Sequence, residues 1–265
     1  PGRWPTLLSV CQSHSPRDVG NPRGQNREGR GDQGVLWSVF WQHGVMTSPS
    51  GPRRVPYWCD PHPADVDLLP RDGRRHLGVL EAVVRRQWDP AEGAPPAEVI
   101  AAIDRLASLP GPIATQIAEV LTGGLWVGVG PIPNLDHFGH LAGRPVRAGS
   151  TVRWDDVPGV TDWESRTMAV GTGAHVSASL VDHEIGHVIE RRRRAAESPE
   201  WETIMLRCRP LLQIERWQDP LEWWAEGWAL VITGQLPRLI RILGGHEPVA
   251  EIVARYYVRH FGLEV

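Results

Sequence analysis

His183-Glu184-Ile185-Gly186-His187 is the stretch on which the reading of this chain turns. Positions four apart on a helix share one face, so both imidazoles can reach a single metal ion, while Glu184 between them is rotated enough to approach a water instead. A catalytic zinc keeps three protein ligands and an open position for that water, so a third ligand has to come from another element. Downstream, Glu222-Trp223-Trp224-Ala225-Glu226-Gly227-Trp228 offers two acids one helical turn apart in a strongly apolar run. The intervening length allows a loop and a second helix to carry a carboxylate back to the first. Asp219-Pro220 reads as the start of that helix, with Asp as the cap and Pro in the first turn, and Gly234 as its stop. Glu222 then projects from the first turn and is the candidate third ligand.

A chain of 265 residues with 41% apolar content can bury one sizeable core. A net charge of −3 argues against a nucleic-acid partner. All 28 basic residues are Arg, and Trp, at 13, outnumbers Phe and Tyr at 3 each. That composition fits coding from a GC-rich bacterial genome better than a functional device, and the scatter of the tryptophans fits core packing. Cys11, Cys59 and Cys208 show no C-x-x-C spacing, which leaves a single Cys59–Cys208 bridge open. No apolar run is long enough to span a bilayer, since Glu226 interrupts the Trp-rich stretch, so no integral membrane segment is expected.

Residues 1–45 are rich in Gly, Arg, Gln, Ser and Pro, lack sustained periodicity, and run into Met46-Thr47-Ser48-Pro49-Ser50, which resembles an ordinary protein start. They read as a non-native or disordered leader, without the charged, apolar and cleavage-site order of a signal peptide. Residues 46–74 read as a loosely structured lead-in, and the folded domain is expected over 75–265. Leu77, Leu80, Val83 and Val84 recur at helical spacing and a second apolar-periodic run covers 97–109, so two N-terminal helices are predicted. Short β-favouring runs at 125–129, 144–146 and Thr167–Val170 predict a small sheet with long loops. Helices are predicted again at about 177–196, 202–213, 220–233 and 247–261. The predicted class is α+β, mainly helical.

If zinc sits between His183, His187 and Glu222, the pKa of its water falls toward neutrality and Glu184 can take the proton as general base, the chemistry of peptide-bond hydrolysis. Glu226 is placed to accept a hydrogen bond from a ligand imidazole. The run Thr167, Met168, Ala169 and Val170, just ahead of the metal-binding helix, is expected to be an edge strand that pairs with an extended substrate through its main chain.

The His-Glu-x-Gly-His motif, the acid at Glu190, and the later block of Glu222, Ala225, Glu226 and Trp228 together resemble the anthrax lethal factor catalytic domain family, which includes the secreted Pro-Pro endopeptidases. Trp154-Asp155-Asp156-Val157-Pro158-Gly159 resembles a loop motif of bacterial members, and the likeness spans roughly 75–265. The resemblance implies a zincin-like fold, a zinc endopeptidase acting on protein or peptide, and Glu222 rather than Glu226 as third ligand. One position departs from the family. Where its members usually carry a tyrosine seven residues before the ligand glutamate, whose hydroxyl helps to stabilise the oxyanion, this chain has Glu215, and a carboxylate there disfavours developing negative charge. Arg216 or Trp217 is then the available donor. Export is implied by analogy alone, so the location is left open. Arg193 stands where an extended third-histidine motif would place its last ligand.

Other features have plainer readings. Asp136, His137 and His140 lie in a Gly- and Pro-rich stretch and read as loop residues. His175 reads as structural. Arg191 to Arg194 complement a helix C-terminus, and Gly128-Val129-Gly130 lacks the third glycine of a dinucleotide loop. Two alternatives to the endopeptidase stay open: a zinc-containing peptide-binding or regulatory module without turnover, and a zinc amidase acting on a non-protein amide.

Overall fold

The computed structural model describes residues 8–10, 58–64 and 71–263. Over these residues the architecture is α+β, mainly helical with one small sheet. Strands β1 (Leu8–Val10), β2 (Val84–Gln87), β3 (Gly124–Gly128), β4 (Gly159–Asp162) and β5 (Thr167–Val170) lie side by side in the order β1-β4-β5-β3-β2. The inner strands β3 and β5 run parallel to each other and to β2. β4 runs antiparallel to β5, and β1 antiparallel to β4. The remainder of the expected leader lies outside the described residues.

Thr167–Val170 is therefore not an edge strand. It is hydrogen-bonded to β4 on one side and β3 on the other, and all four residues are buried. Its main-chain groups are already paired within the sheet, so it cannot take a substrate by strand addition. Both faces of the sheet are covered, which is why its inner strands read as unbroken apolar runs. Leu125, Val127, Met168 and Val170 face the main core, whereas Trp126, Val160 and Ala169 join Phe138, Trp154 and Val157 in a smaller cluster on the other side.

The helices are α1 (Ala97–Ala107), α2 (Gly111–Val120), α3 (Leu180–Arg193), α4 (Pro199–Cys208), α5 (Pro220–Ile232), α6 (Leu236–Ile242) and α7 (Glu247–Phe261). Ser179 caps α3 by accepting a bond from the Asp182 N–H. Asp219 caps α5 by accepting from Leu221 and Glu222, Pro220 takes the first helical position, and Gly234 follows the helix in the left-handed region at φ 66°. The predicted limits of α5 thus match local chemistry. The first predicted helix does not form: Gly78–Ala82 is a short 3-10 turn, and the chain enters β2 directly after it. Arg86 is the reason, because its buried guanidinium pairs with Glu81 at 2.6 Å and bonds the Arg75 carbonyl, tying strand to turn. Arg144 to Val146 contributes an isolated bridge, Pro145 to Arg153, in place of a strand.

α3 and α5 cross at unusually close range. A Cβ on Gly186 would lie 2.8 Å from the Ala225 Cα, so only glycine lets the two backbones meet here. Trp201, Trp223, Trp224 and Trp228 are fully buried around α5. Cys59 and Cys208 are both buried free thiols, so the bridge between them is not made, and burial pushes the Cys208 thiol up to about 11. Among the described residues no helix is long and apolar enough to cross a membrane.

Candidate metal centre

His183 and His187 leave α3 on the face turned to α5, and the close approach at Gly186 brings the first turn of α5 within reach of them. The two Nε2 atoms are 3.2 Å apart. Glu222 Oε2 lies 3.4 Å from His183 Nε2 and 3.9 Å from His187 Nε2. A tetrahedral ion with bonds of about 2.0–2.1 Å separates its ligand atoms by about 3.3–3.4 Å, which two edges of this triangle match and the third, from Glu222 to His187 at 3.9 Å, exceeds. These three residues could hold a metal ion, and among the described residues no second such group occurs.

Protonation suits the same purpose. Burial drives the His187 pKa down to about 3, which keeps the ring neutral with a lone pair to give. For Glu222 burial is the largest single influence and opposes ionisation, but Arg216, His183 and His187 together outweigh it, and the carboxyl is held at about 2. Glu226 is fully buried; its Oε2 lies 3.1 Å from His183 Nδ1, and its Oε1 accepts the Ala178 N–H at 2.8 Å. A carboxylate on Nδ1 favours the proton there and leaves Nε2 as the donor atom.

Glu184 is fully buried beside the pair of rings. Its Oε2 accepts from Thr161 Oγ1 at 2.8 Å, while its Oε1 is buried with no hydrogen-bond partner. Burial raises its pKa to about 7, against the pull of His183 and the Thr161 hydroxyl. A buried carboxylate oxygen left without a partner costs stability unless something supplies a proton or a cation to it. Gly159, two residues before Thr161 on β4, makes the space: a Cβ there would sit 2.8 Å from Glu184 Oε1. Sequence reasoning missed both β4 residues. The signal available was Gly159 at the end of the quoted Trp-Asp-Asp-Val-Pro-Gly motif, followed by Thr161 on the same strand face.

The 3-10 turn Glu215–Gln218 delivers a further side chain. Glu215, the first residue of the turn, is exposed. The residue that enters the site is Arg216, whose Nε donates to Glu222 Oε2 at 2.6 Å and whose Nη2 lies 2.8 Å from His183 Nε2. His175 is exposed at the surface, where partial desolvation by its neighbours lowers its pKa against the opposing charge of Glu226. Asp136, His137 and His140 fall on a separate 3-10 turn, where His137 stacks on Trp126. Thr167, Met168, Ala169 and Val170 are spent inside the sheet, as described above.

No family model matches the sequence, and no curated protein matches it. Five solved chains do match. One is the Pro-Pro endopeptidase PPEP-2 from Paenibacillus alvei, 19% identical, with a TM-score of 0.39, covering 67% of this chain and 98% of that one. A likeness that weak carries no argument about fold or activity, which rest on the residues themselves.

Proposed function

We propose that this chain is a zinc-dependent endopeptidase of zincin-like architecture, with His183, His187 and Glu222 as metal ligands and Glu184 as general base. The observation that carries the reading is the convergence of two buried imidazoles and one carboxylate, with ligand atoms all within 4.8 Å of one another, beside the partnerless oxygen of Glu184. Zinc, when bound, supplies a Lewis acid and a water acidified toward neutrality. Glu184 accepts the water proton and hands it to the leaving amine. Thr161 holds one carboxylate oxygen so that the other faces the reaction, and Glu226 fixes the tautomer and orientation of His183. Peptide as the substrate class is supported by the resemblance of the two motif blocks.

The test is mass-spectrometric profiling of a diverse peptide library with the zinc-loaded full chain and with Glu184→Gln. We expect cleavage by the parent and a loss of about 10²–10⁴-fold in the variant at unchanged zinc content. A parent protein that binds one zinc and cleaves nothing would instead be the binding module. Cleavage confined to non-peptide amides would make it the amidase.

A further inference from the structure

β4 is the strand through which the sheet meets the metal-binding helix. Thr161 donates to Glu184 Oε2 at 2.8 Å, and a Cβ on Gly159 would sit 2.8 Å from Glu184 Oε1. One side of β4 is joined to β5 and the other to β1. The Gly171 N–H donates to the Pro158 carbonyl at 2.7 Å, one step beyond the Gly159 to Val170 pair. Successive residues of a strand turn their N–H and C=O groups to opposite sides, so Val160 and Asp162 also serve β5, whereas Gly159 and Thr161 address the outer side. Thr161 stands opposite Ser9 there, so these two residues exchange the main-chain bonds that join β1 to β4.

The occupant of that outer side is unlike the rest of the sheet. β2 to β5 all come from residues 84–170, while β1 comes from residues 8–10, within the N-terminal stretch that lacks hydrophobic periodicity. Its pairing is at the short end of the range for strands. What it gives to β4 is main chain, and any extended peptide carries the same N–H and C=O groups at the same spacing. Without it, β4 would be a sheet edge, with the donor and acceptor of Thr161 open to such a peptide beside Glu184.

We propose that residues 8–10 are a built-in competitor: they occupy the outer side of β4, the surface that would hold an extended peptide beside Glu184, and a peptide binds only as they release it. The partner that replaces them is a peptide in extended conformation, recognised through its main chain. The consequence for activity rests on the endopeptidase reading, whereas the exchange of one strand for another does not.

The experiment uses the zinc-loaded full chain, Ser9→Pro and, for comparison, Leu8→Pro. Ser9→Pro removes the N–H turned to β4, and Leu8→Pro removes one turned away from it. Three quantities are measured: hydrogen exchange of the Thr161 amide by NMR, affinity for a dye-labelled synthetic peptide of residues 5–13 carrying Cys11→Ser, and kcat and KM on a peptide the parent cleaves. In Ser9→Pro we expect faster Thr161 exchange, about tenfold tighter peptide binding, and KM about tenfold lower at unchanged kcat, because a tethered competitor has been removed. Leu8→Pro should change each of them clearly less. A Thr161 amide that exchanges in the parent as fast as an unpaired one overturns the proposal without any variant. Faster exchange in Ser9→Pro at unchanged peptide affinity and KM overturns it in favour of β1 as a plain structural strand. Equal effects from the two variants overturn the Ser9 to Thr161 pairing as the lock. If the parent cleaves peptides and Glu184→Gln does not, yet Ser9→Pro alters neither peptide affinity nor KM, the inference fails and the endopeptidase reading stands. If Ser9→Pro binds the labelled peptide more tightly and cleaves nothing, the strand exchange stands and the endopeptidase reading fails.

Discussion

The two ends of α3 carry charged residues under opposite conditions. From Leu180 to Glu190 every residue is buried, Asp182, His183, Glu184, His187 and Glu190 included, whereas Arg191 to Arg194 are all exposed. The buried acids are each held by named groups. Asp182 receives Arg105 through both oxygens and Ser179 through one. Glu184 receives Thr161, and Glu190 accepts the Ala196 N–H at 3.1 Å. The exposed arginines instead pair with exposed acids such as Glu119 and Glu197, or lie over the Phe261 ring. Burying ionisable groups is expensive, and the first half of α3 tolerates that cost only because specific partners come from α1, β4 and α5. The second half needs no such partners, because water already solvates it.

This contrast can be broken at three points. Asp182→Ala should have the largest effect on stability, about 3–5 kcal/mol, since it removes the buried partner that joins α3 to Arg105 of α1. Urea denaturation of parent and variant measures it, and a loss below about 1 kcal/mol would put the buried half on a par with the surface. Glu190 comes next. Burial raises its pKa to about 7, against the Ala196 N–H that lowers it, so the folded state holds its proton more tightly than the unfolded chain does. Its stabilising contribution is complete below about pH 4.5 and is lost as pH rises through about 7, on the order of 3 kcal/mol in all. Glu190→Gln should flatten that part of the pH dependence; urea midpoints at pH 5 and pH 8 that fall equally in both proteins would remove Glu190 as its source. The smallest effect belongs to Arg192 and Glu119, both substantially exposed. A double-mutant cycle on this pair should give a coupling below about 0.5 kcal/mol.

Much of this was legible along the chain because it depends on neighbours in sequence. The spacing of His183 and His187, the Asp219-Pro220 start of α5 and the Gly234 stop all follow from helix geometry and capping, which act over a few residues. Strand neighbours are different. The apolar run of Thr167–Val170 looks the same at an edge or in the middle of a sheet, and its place between β4 and β3 is set by pairings distant in sequence. The spacing of Leu77, Leu80, Val83 and Val84 likewise suggested a helix, because the Arg86 to Glu81 pairing that draws the chain into β2 leaves no periodic mark.

By itself, then, the sequence determined which side chains can ligate and which helices present them, since the periodicity of a helix is a local property. Only the tertiary structure decided which groups surround those side chains. The gap that Gly186 leaves for Ala225, the room that Gly159 leaves for Glu184, and the choice of Arg216 over Glu215 at the Glu222 carboxylate all arise where separate elements close on one another. Contacts of that kind depend on distances through space, which spacing along a chain does not encode.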